Sequence, residues 1–474
     1  MWYTSYGKFL GISSVHSNLE GGFRVNRNTT LIIGGKWGDE GKGKVASWAA
    51  KDADLVIRGT GGANAGHTIV FNGKKIALHL VPGGIVYPQT LCLIGQGVVL
   101  DIPVLLKEIE DLEKMEVPEV RSRLRISGRT HIVFQYHKDL DELHEKLKGK
   151  SAVGTTKRGI GPAYSDKDNR VGIRVYDLLL PVEKLEEKIR VATKLHNQAF
   201  KQNGMEHCCV DAKKVAEEYK KYGEIIKDMI VNADVITQNA IQTNKKIVVE
   251  GAQAYRLDKD YGDYPMVTSS NCVTAGTLVG AHIPHSAVKE VIVIAKAYDS
   301  RVGNGPFPTE QPAHLVNDKI TDYVEPYIGD VIREIGHEYG STTGRGRRVG
   351  FFDSVILKTG QHILGADYLC INHLDSLGKI GKEIGDVKIC VAYNYQGRKI
   401  DYYPDDMDIT GEIPTPIYIS LAGGWDISSD IRDFDMLPEK AQKFIKLIEQ
   451  STGIPVKFIG VGPDNEDLIV RNNY

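Results

Sequence analysis

An α/β fold, one large domain on a mostly parallel central β-sheet flanked by helices, is predicted by three features of the sequence. The apolar run Leu31-Ile32-Ile33 passes directly into the glycine-rich GGKWGDEGKGK, a strand-to-helix turn near the N-terminus. Short apolar runs bounded by Gly, Pro and Asn then alternate with helix-period stretches. No linker, composition shift or internal repeat divides the 474 residues, a length that suits one large core or two ordinary ones.

Taken in order, residues 1–28 carry one acid, three basic residues and several serines, without the apolar centre of a secretory signal. They are expected to be a disordered extension ahead of a catalytic domain at 29–474, with a weak organellar transit peptide as the alternative. Strands are expected at 54–58, 76–81, 91–94, 124–126 and 131–134, and a helix at 103–115. Residues 181–245, rich in Lys and Glu, read as mostly helical. Further strands are expected at 247–250, 291–295, 368–371, 388–392 and 456–459.

Composition narrows the function classes. Hydrophobic content of 42% and charged content of 25% are those of a globular protein. A net charge of −2 gives no general affinity for nucleic acid or anionic membrane, so neither partner is expected. No apolar run approaches the ~20 residues that span a bilayer. The six cysteines show no metal spacing, which fits a reducing, cytoplasmic compartment.

The turn after Ile33 carries the chemistry. Gly34, Gly35, Gly38, Gly41 and Gly43 free the backbone to converge its amides on a phosphate at the start of the next helix. Lys42 and Lys44 can reach back over that phosphate. The segment from Gly38 to Lys44 fits GxxxxGK, but Val45 stands where a metal-binding hydroxyl is usual, so Asp39 is the candidate oxygen ligand. Asn64, Gly66, His67 and Thr68 lie on a second glycine-loosened loop. The plain alternative is a turn with solvated charges.

Four later segments add candidates. Thr155 to Arg158 could hold a monophosphate or form a polar connection. Gln253 could read a purine edge, since an amide both donates and accepts, or be a buried structural residue. Arg345, Arg347 and Arg348, beside Thr342 and Thr343, offer guanidinium forks for a dicarboxylate; a basic solvated loop or a nucleic-acid patch is the alternative. Asp375, after a strand, could accept from the N1–H and amine of guanine.

The motifs WGDEGKGK and GGANAGHT resemble those of adenylosuccinate synthetase, and the resemblance recurs in blocks from about residue 29 to the C-terminus. It implies a GTP-dependent ligase that joins IMP and L-aspartate through 6-phosphoryl-IMP, with one Mg²⁺ per subunit, in a cytoplasmic homodimer. Matching positions give Asp39, His67 and Lys42 as catalytic, and Asn64, Thr156, Arg170, Gln253, Thr268, Arg301 and Val302 as IMP-binding. Arg170 would reach the neighbouring subunit's site. Thr343, Arg345 and Arg347 match aspartate-binding positions. Gly38, Glu40, Gly41, Lys42, Gly43, Lys44, Gly66, His67, Thr68, His373, Asp375 and Gly462 match the GTP site, and Asp39 and Gly66 the metal site. In that chemistry Asp39 takes the N1 proton of the hypoxanthine, its O6 attacks the γ-phosphate, and the aspartate amine displaces the phosphate, with His67 as a general acid.

Two departures from the family pattern stand out. Ala254-Tyr255-Arg256 replaces small residues and is expected at the pocket rim; His373 replaces a lysine that packs on guanine. Two rival readings follow. A GTP-binding switch expects Ser or Thr after GK and Asn-Lys-x-Asp, which Val45 and His373 contradict. A same-fold phage-type ligase acting on dGMP with ATP lacks the loop aspartate that Asp39 supplies here.

Overall fold

Strand β1, Thr29–Gly34, runs through the centre of the sheet, its Leu31, Ile32 and Ile33 fully buried. The computed structural model describes residues 25–71, 73–314, 327–340 and 346–472. Among them, ten strands form the main sheet. Its spatial order is Leu468–Val470, Val456–Gly460, Tyr368–Asn372, Val288–Lys296, β1, Ile247–Glu250, Leu55–Arg58, Leu91–Ile94, Leu124–Ser127 and Ile230–Val231. All neighbours are parallel except Val456–Gly460 with Leu468–Val470. A parallel sheet is covered on both faces, which explains why the central strands are continuous Val/Ile/Leu runs. One face packs Leu31, Ile33, Ile57 and Val293; the other packs Ile32, Val56, Ile94 and Ile292.

The expected strands differ from the observed ones at the margins. Of residues 76–81 only 76–78 are strand, in a hairpin of His67–Phe71 with Lys74–Leu78 off the main sheet. Residues 131–134 shrink to His131–Ile132, paired with Val99–Leu100, because Phe134 already caps the helix Gln135–Lys148. Residues 388–392 lie within Asp386–Tyr395, the centre of a separate small sheet. The helical stretch resolves into Val182–Gln202, Ala212–Ile226 and Ala233–Gln242.

At the N-terminal boundary the structure moves the expectation. Asn26 Nδ2 donates to the Ile241 carbonyl at 3.0 Å and Asn28 Nδ2 to that of Lys245 at 2.7 Å, so these two residues are tied to the body. Residues 1–24 lie outside the described residues. Among the described residues no helix is long and apolar enough to cross a membrane.

The parallel strands point the same way, so the loops after their carboxyl ends gather at one edge of the sheet, where ligands bind in open α/β sheets. The segments starting at Gly35, Gly59, Gly251, Ala297, His373 and Val461 all leave from that edge. They include most of the motifs singled out in the sequence.

Candidate active site

After Gly34 the chain enters a loop and then helix α1, Lys42–Ala50. A Cβ at Gly34 would lie 2.6 Å from the Gln253 carbonyl and 2.8 Å from Glu40 Oε2, so only glycine lets the loops after neighbouring strands close together here. Gly38 and Gly41 have φ of 92° and 84°, which suits glycine, and Asp39 has φ of 58°. No side chain caps α1 at Gly41, so its first amides stay available to an anion.

Glu40 braces the loop. Its Oε1 accepts from the amides of Lys36 and Gly38 at 3.2 and 2.8 Å, and its Oε2 accepts from Lys42 at 2.8 Å. Asn372, the last residue of its strand, donates to the Glu40 carbonyl at 2.8 Å. Lys44 does not reach back over the loop: its ammonium donates to the carbonyls of Gly462 and Asp467 at 2.6 and 2.8 Å. It thereby fixes the 461–467 loop against α1, and burial lowers its pKa.

Asp39 projects from the loop, its side chain 37% exposed, and pairs with Arg347 Nη2 at 3.0 Å. Arg347 Nη1 also pairs with the buried Glu338 at 2.8 Å, while its buried Nε has no partner. Glu338 accepts from Lys296 and, at 2.9 Å, from the Tyr298 hydroxyl. The Tyr298 ring lies edge-on to His373, centroids 5.7 Å apart. The structure therefore brings Asp39, Arg347 and His373 into one connected cluster. Thr343 and Arg345 lie outside the described residues. Arg348 is occupied elsewhere, holding Glu310 and, at 2.8 Å, the Gly305 carbonyl.

His67 begins its hairpin against α1; a Cβ at Gly43 would meet the His67 Cβ at 2.9 Å. Its imidazole is turned inward. Nδ1 bonds Glu250 and lies 2.8 Å from Arg58 Nη1, which is 3.3 Å from Nε2. Burial, then the Arg58 charge, pushes the imidazole down to about 4. Burial would raise the Glu250 carboxyl, but His67 and Arg58 outweigh it and hold it at about 2. His67 is thereby held toward its neutral form near pH 7, hydrogen-bonded to Glu250. Both groups bind protons less readily in the fold than in the unfolded chain, so stability falls on acidification. The His67 contribution is lost from about pH 6.5 to 4, and that of Glu250 from about 4.5 to 2. Urea midpoints measured from pH 7 to 5 should fall more steeply for wild type than for His67→Asn; equal slopes would contradict the assignment.

The residues matched to IMP lie on five segments, some of which adjoin one another. Gln253, at φ 53°, lies beside Gly61, where a Cβ would come within 2.9 Å of Gln253 Oε1. Gln253 Oε1 and Asn64 Oδ1 are both buried without a hydrogen-bond partner, acceptors suited to a bound ligand. The 153–159 loop approaches Gly303, and the helix Ile160–Asp168 approaches Ser269, next to Thr268. In that loop the amides of Gly154 and Thr155 donate to Glu145 at 2.7 and 3.2 Å, while Thr156 is exposed. Arg170 is exposed, and so is Val302. Arg301 is buried, ion-paired with Asp263. Ala254, Tyr255 and Arg256 do not form a pocket rim: all three are buried beneath the phosphate loop, where Arg256 N donates to the Lys36 carbonyl at 2.8 Å.

Gly66 and Thr68 are exposed beside α1, and Asp375 lies in the first turn of the helix Leu374–Ile384. Burial, then the nearby Lys296, pushes His373 down to about 4, so no charge stands where the family pattern has lysine. The ratio of KM for GTP between wild type and His373→Gln should therefore stay constant from about pH 6 to 8. A ratio that drifts through that range would show the imidazole titrating.

Arg58, Glu250, Lys296, Glu338 and Tyr298 were missed by the sequence reading. A signal existed for three of them. The apolar runs LVIR, IVVE and VIVIAK each end on a charged residue at the carboxyl edge of the sheet.

A glycine-rich loop before an uncapped helix, a loop carboxylate and an arginine with an unpartnered buried donor suit a nucleotide-dependent enzyme that activates one substrate for attack by another. Adenylosuccinate synthetase is the family whose sequence model matches, over residues 31–469. The chain is 44% identical over 448 residues to adenylosuccinate synthetase of Acetivibrio thermocellus, covering 94% of this chain and 100% of the relative. A fully ligated adenylosuccinate synthetase from Plasmodium falciparum superposes with a TM-score of 0.83 at 36% identity, covering 94% of this chain and all of that one. The chain belongs to the adenylosuccinate synthetase family, GTP-dependent ligases that take IMP to adenylosuccinate in purine biosynthesis. A succinoaminodeoxyadenylate synthetase from cyanophage S-2L, bound to dGMP and dATP, shares the fold with a TM-score of 0.56 at 18% identity, covering 94% and 96% of the two chains.

Proposed function

We propose that Asp39, Lys42 and Arg347 carry out the conversion of IMP, L-aspartate and GTP to adenylosuccinate, GDP and phosphate. The observation that supports this most is the 3.0 Å pair between Asp39 and Arg347, which sets a base beside a guanidinium suited to the amino-acid carboxylate. Asp39 accepts the N1 proton of IMP, and charge moves to O6. O6 attacks the γ-phosphorus, and the bond to the departing GDP breaks. Lys42 and the first amides of α1 stabilise the transferring phosphoryl group. The aspartate amine then attacks C6, the C6–O6 bond breaks, and phosphate leaves with O6. His67, held neutral, acts as a hydrogen-bonding group. Heavy oxygen placed at C6 of IMP should appear in the released phosphate; label retained in the nucleotide would contradict the route.

A single Mg²⁺ would be held by the Asp39 carboxylate and the Gly66 carbonyl, and when bound it neutralises phosphate charge. The donor types suit that ion: Asp39 is a partly exposed carboxylate and Gly66 opens onto free space. Mg²⁺ commonly takes one or two carboxylates with substrate phosphates and water. His373, Asp375 and Gly462 form the base end of the GTP site. The catalytic domain takes in Asn26 and Asn28 as well as residues from 29 onward, and a cytoplasmic location accords with six free cysteines.

The exposed Arg170 suits donation to a second subunit's IMP phosphate in a homodimer. Mixing Asp39→Asn with Arg170→Leu, each inactive alone, should then regain activity, because one site in each hybrid dimer is intact. No recovery in verified hybrids would contradict the shared site.

A further inference from the structure

Asp263 gathers three donors beneath the nucleotide cleft. Its Oδ1 accepts from Arg256 Nε at 3.0 Å and from Arg256 Nη2; its Oδ2 accepts from Trp37 Nε1 at 2.8 Å and from Arg301 Nη1. All four residues are buried. Each donor belongs to a different segment that carries a candidate site residue. Trp37 lies inside the phosphate loop. Arg301 opens the 301–306 loop and also holds its carbonyls, at Asn304 (3.1 Å) and Pro306 (2.8 Å). Arg256 follows Gln253, and its guanidinium lies 4.2 Å from the Tyr403 ring centroid and 5.0 Å from that of Tyr255. Asp263 itself stands in the segment that leads to Thr268.

The charges do not cancel. Two guanidiniums share one carboxylate, and Arg301 Nη2 has no partner. A buried ionic group is a costly way to gain stability alone, since apolar residues of similar volume often do as well or better. What the group does supply is geometry: one carboxylate fixes the phosphate loop relative to the 301–306 loop. It also accounts for the departure at 254–256, where an arginine in place of a small residue meets a carboxylate seven residues on.

We propose that Asp263, with Arg256, is a positioning residue for the ligation, setting Trp37 and Arg301 so that the nucleotide's ribose side meets the phosphate loop in register. The proposal rests on the function proposed above. The test is kcat and KM for IMP, GTP and aspartate, with thermal midpoints, in wild type, Trp37→Phe, Asp263→Asn and Asp263→Asn/Arg256→Leu. Asp263→Asn should lower kcat/KM for IMP roughly 10- to 100-fold, the scale of an ångström misplacement. Trp37→Phe removes one N–H while keeping the ring against Phe307, and should lower it about tenfold. KM for aspartate should stay within about twofold, as Arg347 is outside the group. The double variant, relieved of surplus charge, should regain thermal midpoint but not kcat/KM. Should Asp263→Asn fail to fold, Trp37→Phe decides. Folded variants with wild-type constants for IMP overturn the proposal; a wild-type enzyme that does not turn over IMP overturns the function beneath it.

Discussion

Asp39→Asn should lower kcat by about 10²- to 10⁴-fold, the range of a positioned acid or base, with KM for GTP and IMP changed far less. An amide cannot take the N1 proton, so O6 gains no charge with which to attack. The substitution is conformationally mild, because Asn tolerates the left-handed φ of 58° at this position. The loop is held independently of this side chain, by Glu40 on the amides of Lys36 and Gly38 and by Asn372 on the Glu40 carbonyl. Steady-state kinetics beside a thermal midpoint check the prediction. A folded variant with kcat within tenfold of wild type would remove Asp39 from the role of base.

Arg347→Leu should raise KM for aspartate by roughly 10- to 100-fold or more, the consequence of losing charge-assisted hydrogen bonds to a carboxylate. Its buried Nε lacks a partner in the structure and is a donor available to that substrate. The loss also leaves Glu338 with Lys296 and Tyr298 but without one of its cations. Arg347→Lys separates the two effects. It retains a charge near Glu338 but lacks the planar fork, so stability should recover more than aspartate affinity. Equal KM values for aspartate in wild type and Arg347→Leu would assign the dicarboxylate to other residues.

Both predictions concern residues visible in the sequence, and the reason is local. Glycine spacing after a short apolar run is a backbone instruction, readable without knowing what lies opposite. The alternation of strands and helices likewise predicted the parallel sheet, and with it the edge at which the loops gather. The partners were not readable. Glu338 and Arg347, nine residues apart, meet across a short antiparallel bridge. Asp263 on Trp37 and Gly462 on Lys44 meet only because the sheet brings segments distant in sequence to one edge, an order that no local pattern states. For the same reason the bonds of Lys44 to Gly462, of Arg256 to Lys36 and of His67 to Glu250 could not be foreseen. Their residue types were informative; the groups that use their hydrogen bonds became visible only in the fold. Short strands such as Ile230–Val231 and Leu468–Val470 were missed because at the sheet's edges pairing, and not an apolar run, makes the strand.

The most direct measurement is product formation by the purified protein with Mg²⁺, aspartate and GTP, offered IMP and dGMP in parallel and ATP as a second phosphate donor. Adenylosuccinate formed from IMP with GTP, and lost in Asp39→Asn, is the predicted result. Turnover of dGMP alone, or of IMP only with ATP, would contradict it and place the specificity of this chain with His373 and the residues around Arg256.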